Sequence, residues 1–162
     1  MPSTLRPASL CPAPLRRPTR AAGLPDAHRP PGSALSLTLP GAARSVAVAR
    51  AAVASALHAH GLDAFAFPAV QASSELVAVA TRLTPADDVY LSLRQRDDAL
   101  RLVVWDQHPR HADPVARSVC EDRRLRALWL LAAVVDDWGG KWGVCGTESP
   151  HRGTKSWALL PR

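Results

Sequence analysis

Two runs of alternating apolar residues, Val89, Leu91, Leu93 and then Leu100, Leu102, Val104, flank the polar tripeptide Arg96-Asp97-Asp98. Successive side chains on a strand point to opposite faces, so each run presents one apolar and one polar face. A short polar turn between two such runs closes them into an antiparallel hairpin. A hairpin alone is marginal in water. It needs further strands beside it and a layer over its apolar face, and that requirement constrains the chain more than any other feature. Leu35, Leu37 and Leu39, alternating with Ser36 and Thr38 and ended by Pro40-Gly41, supply one more strand. Lys155 to Leu160 reads as the last.

Helices supply the covering layer. Val46, Ala49, Val53 and Leu57 recur at helical spacing, which predicts a helix from Ala43 to His60, with Gly61 as a stop signal. Leu62 to Phe67 reads as a link. The stretch PAVQASSELVAVATR, Pro68 to Arg82, reads as a second helix in which Leu76, Ala80 and Leu83 share a stripe; Thr84-Pro85 stops it. Gln107 to Asp122 is polar, contains two prolines and reads as a long loop of the kind that often covers a site. Leu125, Leu128, Trp129, Ala132 and Val135 mark a third helix. Leu130, Leu131 and Val134 make it apolar on most sides, and Gly139-Gly140 ends it. A Gly-rich connection from Trp142 to Gly153 leads to the final strand, with room for one extra strand near Trp142. So small a sheet does not need helices on both faces. The fold class expected is α+β, a two-layer sandwich with helices on one face of a mostly antiparallel mixed sheet.

At 162 residues, 47% of them hydrophobic, the chain can bury one core and carry a tail. Residues 1–32 hold 8 of the 15 prolines and five arginines against a single acid, Asp26, which predicts a disordered Pro/Arg-rich tail ahead of a domain over 33–162. No apolar run reads as long enough to span a membrane and no secretory segment follows the N-terminus, so a cytoplasmic protein without a membrane partner is expected. The net charge of +6 favours acidic partners, but 18 of the 20 basic residues are Arg in an Ala- and Pro-rich chain. Coding bias accounts for that usage as readily as function does, and nucleic acid is not expected as a partner. Cys11, Cys120 and Cys145 lack metal-ligand spacing and read as reduced and structural. His108 and His111 read as solvent-exposed loop residues without a metal. Trp105, Trp129, Trp138 and Trp157 fall in predicted elements and read as core.

Four stretches in order, LSLTLPGAARSVAVARAAVASALHAHGL, SELVAVATR, LRLVVWDQHP and WLLAAVVDDWGG followed by GTKSWALL, resemble the ATP-binding domains of the GHKL superfamily. The resemblance is nearest to the small actinobacterial regulators of the anti-sigma-factor serine kinase type and spans about residues 33 to 160. It implies a histidine-kinase-like ATP-binding domain of Bergerat type. Glu75 stands where the family's Glu polarises the attacking group. Asp106 stands at the adenine-binding acid, Thr154 after Gly153 at the supporting Thr, and Arg82 at the family's Arg, with Leu83 in place of its His. The family's Mg²⁺-binding Asn falls on Val79, which has no donor atom, so ATP is the implied cofactor and a protein-held Mg²⁺ is not. The glycine box, where backbone amides approach phosphate at a helix N-terminus, is replaced by Leu125-Arg126-Ala127-Leu128. Arg123, Arg124 and Arg126 remain there to attract phosphate, or to form a solvated helix start.

Two functions compete at this point. One is an ATP-binding regulator, a serine/threonine kinase if active, that acts on a sigma factor or an anti-sigma antagonist. The other is a protein-interaction module that keeps the fold and no longer binds Mg-ATP. Either is compatible with a homodimer.

Overall fold

The computed structural model describes residues 34–96, 98–109, 111–147 and 152–162. The segment 1–32, Cys11 and Asp97 lie outside them. The described elements run β1 (Ala34–Leu39), α1 (Ser45–Ala59), a turn of 3-10 helix (Asp63–Phe65), α2 (Ala66–Leu83), β2 (Val89–Arg96), β3 (Ala99–Asp106), α3 (Pro114–Ala127), α4 (Trp129–Asp137), β4 (Lys141–Thr147) and β5 (Gly153–Pro161). The strands form one sheet in the order β1-β2-β3-β5-β4. All four pairings are antiparallel, so no parallel pair occurs among the described strands. The architecture is α+β with helices packed on the sheet, as the binary pattern requires.

The register explains the core. Leu93 lies opposite both Leu35 and Leu102, and Leu91 opposite Leu37 and Val104. Farther along, Leu102 faces Ala158, and Ala158 faces Trp142. These residues share one face, and α1, α2 and α4 cover it. In α1, Ser45, Ala49, Val53 and Leu57 make a buried stripe at four-residue spacing. The helix closes at Gly61 (φ 65°), with Leu62 N–H donating to Leu57 C=O at 2.8 Å and Gly61 N–H to His58 C=O at 3.1 Å. That pair of bonds is a Schellman cap, and it needs the left-handed residue glycine supplies.

α2 is the central helix. Ala69, Ala72, Leu76, Val77, Val79 and Ala80 are all buried, while Phe67, Gln71, Glu75, Ala78 and Arg82 form the remaining open or half-open stripe. With the 3-10 turn it forms a run, Asp63–Leu83, long and apolar enough to cross a membrane, contrary to the expectation from sequence. Most of that run is buried inside the fold, which is what the core helix of a two-layer domain requires.

Three expectations change. Gln107 to Asp122 is not a loop throughout: from Pro114 it is α3, started by Asp113, whose carboxylate accepts from Ala116 N–H at 2.7 Å, with Pro114 in the first turn. The third helix is two. The chain breaks at Leu128 (φ −95°, ψ 19°), which buries Leu128 and Leu131 and turns Trp129 outward, 69% exposed rather than core. Trp138 is also partly exposed. The extra strand for which the sequence left room near Trp142 is present as β4, paired along β5.

Candidate functional site

β3 alternates strictly, with Leu100, Leu102 and Val104 buried. Asp106 is the next residue on that face, so the period that builds the core carries a carboxylate to its edge. It is 0% exposed. A buried carboxylate requires partners, because desolvating an unpaired charge is costly. The partner is Arg124 of α3, itself 3% exposed. Arg124 Nη1 donates to Asp106 Oδ2 at 2.6 Å and Nη2 to Oδ1 at 3.0 Å, the two-pronged geometry that matches guanidinium to carboxylate. Nη1 also donates to the Ser156 hydroxyl at 3.3 Å, and Ser156 lies on β5 beside Val104. Finally, His108 N–H donates to Asp106 Oδ1 at 3.0 Å.

β5 completes the surround. Thr154 pairs with Asp106 in register, and its hydroxyl donates to the His108 carbonyl at 3.1 Å. Gly153 passes so close to the β3 end that a Cβ there would lie 2.3 Å from the Asp106 carbonyl oxygen and 2.7 Å from Trp105 Nε1. Asp106, Thr154 and Gly153 thus lie together where the ends of β3 and β5 meet. Arg124 occupies both oxygens of the Asp106 carboxylate. An adenine amino group reaches Asp106 only if Arg124 withdraws.

The other site residues implied by the resemblance lie elsewhere. Glu75 is half-buried on the open stripe of α2 and accepts from Gln71 Nε2 at 3.2 Å, one turn earlier. Arg82, on the same stripe, donates to the Ala78 carbonyl at 3.3 Å. Val79 is 2% exposed and belongs to the core, so its position faces packed side chains. Arg126 is exposed and donates to the Asp122 carbonyl at 3.3 Å. Residues 125–127 form the last turn of α3. A helix C-terminus carries partial negative charge and repels phosphate. Leu128 N–H is bonded to the Arg124 and Leu125 carbonyls, and Ala132 N–H to Leu128 C=O. The replaced glycine box is therefore closed helical backbone. Of the three arginines expected to be solvated there, Arg124 is instead the most buried.

Sequence reasoning had Arg124 only as a phosphate-attracting or solvated residue and missed it as the partner of Asp106, and it missed Cys120. The two are one turn apart on α3. As Arg124 meets Asp106, so Cys120 meets His108, with His108 Nε2 and Cys120 Sγ 2.8 Å apart. Burial pushes the His108 imidazole below its ordinary pKa, and Arg124 and His111 add to this. Asp106 and a hydrogen bond with the Leu83 backbone act the other way. Cys120 is free, as expected.

Comparison with protein-family models finds no match, and comparison with curated proteins finds none either.

Proposed function

We propose that this chain is a regulatory protein-interaction module on a GHKL-like frame, cytoplasmic, whose nucleotide position has been converted into a structural ion pair. The observation that carries the reading is the two-pronged Arg124–Asp106 contact inside the fold. A fork-to-fork pair leaves no inducement for an adenine amine, since ligand binding would have to break it and leave Arg124 buried without a partner. Two further features support the reading. Val79 gives no ligand to Mg²⁺, and the segment at 125–128 offers no free amides to phosphate.

The partner half of the reading is supported by apolar groups on the outer helix surfaces. Val115 and Val119, four apart on α3, are 71% and 60% exposed, and Phe67 and Trp129 project from α2 and α4. A regulatory protein of the sigma-factor or anti-sigma-antagonist type is the partner class proposed. The kinase reading retains Glu75, half-exposed on α2, and requires Arg124 to leave Asp106 when ATP arrives.

Calorimetry on the full chain separates the two. With millimolar ATP, with and without Mg²⁺, the module gives no binding beyond that of tripolyphosphate, which controls for attraction by the arginines. Saturable binding of ATP that Mg²⁺ strengthens and that tripolyphosphate does not reproduce overturns the proposal in favour of a working nucleotide site.

A further inference from the structure

Three potential ligands converge at the open end of the sheet. His108, His111 and Cys120 each place a ligand atom within 4.8 Å of the other two, and all three side chains are half-buried. The two imidazoles meet edge to face with ring centroids 5.2 Å apart. From these observations we propose that His108, His111 and Cys120 form a three-ligand site for a divalent cation of the zinc class, with a water in the fourth position.

The chemistry of the donors selects the ion. Two imidazoles and a thiolate suit borderline and softer metals such as Zn²⁺ and Co²⁺, and they suit poorly the hard Mg²⁺ and Ca²⁺, which want oxygen. No carboxylate belongs to the set. The second imidazole distinguishes it from a simple thiol–imidazole hydrogen bond, because three convergent donors are what a tetrahedral site with one open position requires. Zn–N near 2.0 Å and Zn–S near 2.3 Å set a ligand separation of about 3.5 Å. The His108–Cys120 separation of 2.8 Å is that of a hydrogen bond, and the pair must open by roughly 0.7 Å to admit the ion. Small rotations of two side chains provide that. On binding, the Cys120 thiol proton is released to solvent and the thiolate and two neutral imidazoles donate.

Two of the ligands, His108 and His111, are held by contacts outside the set, as metal ligands commonly are. His108 is fixed through its own backbone: its N–H is bonded to Asp106 and its C=O accepts from Thr154. The His111 carbonyl accepts from Arg117 Nε at 3.1 Å, which ties the short loop before α3 to α3 itself. Cys120 sits on the inward face of that helix, one turn before Arg124. Loading the site would therefore pin α3 at a second point beside the Arg124–Asp106 pair. The sequence hid the set because His108, His111 and Cys120 match no common ligand spacing, and only the fold of α3 back onto β3 joins them.

The test uses the full chain freed of metal by a chelator. Co²⁺ at one equivalent should give the thiolate-to-cobalt charge-transfer band and the ligand-field bands of a tetrahedral site, and Zn²⁺ should displace them. Cys120→Ala should abolish the charge-transfer band. If that variant does not fold, His111→Gln, in the loop, carries the test: Zn²⁺ affinity by chelator competition should fall at least ~100-fold, the upper end of what loss of an outer-shell partner alone costs. A folded wild-type chain with no charge-transfer band overturns the proposal. So does a band that persists in Cys120→Ala, or a Zn²⁺ affinity unchanged in His111→Gln.

Discussion

At the scale of single residues, what sets this site is a carboxylate placed by strand period on the wrong side of the sheet for solvent. The alternation Leu100, Leu102, Val104 was plain in the sequence, and extending it by one step puts Asp106 in the core. The signal for Arg124 was also there. Cys120, Arg124 and Leu128 recur every fourth residue, so a helix that buries Leu128 turns Arg124 inward as well. Charge hid it, since an arginine between two other basic residues reads as solvated. Gly153 is a second such residue. Nothing in a Gly-Thr dipeptide announces that the β3 backbone and the Trp105 ring will lie against it. Gly153→Ala should overpack this contact and cost about 1–3 kcal/mol in chemical denaturation. A variant as stable as the wild type would show that the strand end yields freely.

At the scale of elements, the strands and the first two helices were legible because each carries a period of two or four against a common core. α3 was not. Its sequence, PVARSVCEDRRLRA, is polar and lacks an apolar stripe. It folds because Asp113 caps it, Pro114 starts it, and its inward face carries groups that find polar partners on β3. β4 was legible only as room for an extra strand near Trp142, because Gly143 and Gly146 interrupt its pattern and an edge strand needs only its neighbour's backbone to form. Removing the cap tests how far α3 depends on it. Asp113→Ala should lower stability by about 1 kcal/mol. It should also speed amide exchange in α3 ahead of α1 and α2, as a helix attached mainly through side-chain contacts opens locally first. Equal exchange in all three helices would mean α3 belongs to the same cooperative unit as the core.

At the scale of the whole molecule, α1, α2 and α4 form a conventional covering layer, while α3 lies at the open end of the sheet and closes it. In the nucleotide-binding frame proposed above, that end would receive the nucleotide. Here the arginine, the serine of β5, the threonine hydroxyl and the histidine backbone share the bonds a ligand would otherwise make. Arg124 and Asp106 hold each other as one buried unit, and a double-mutant cycle measures that coupling. Equilibrium unfolding would be measured for Arg124→Met, Asp106→Leu and the pair together. Each single change strands a buried charge and should cost about 3–5 kcal/mol, while the double change, which strands none, should be no less stable than either single variant. Single effects that simply add in the double variant would contradict the claim and reopen Asp106 as a free ligand-binding carboxylate.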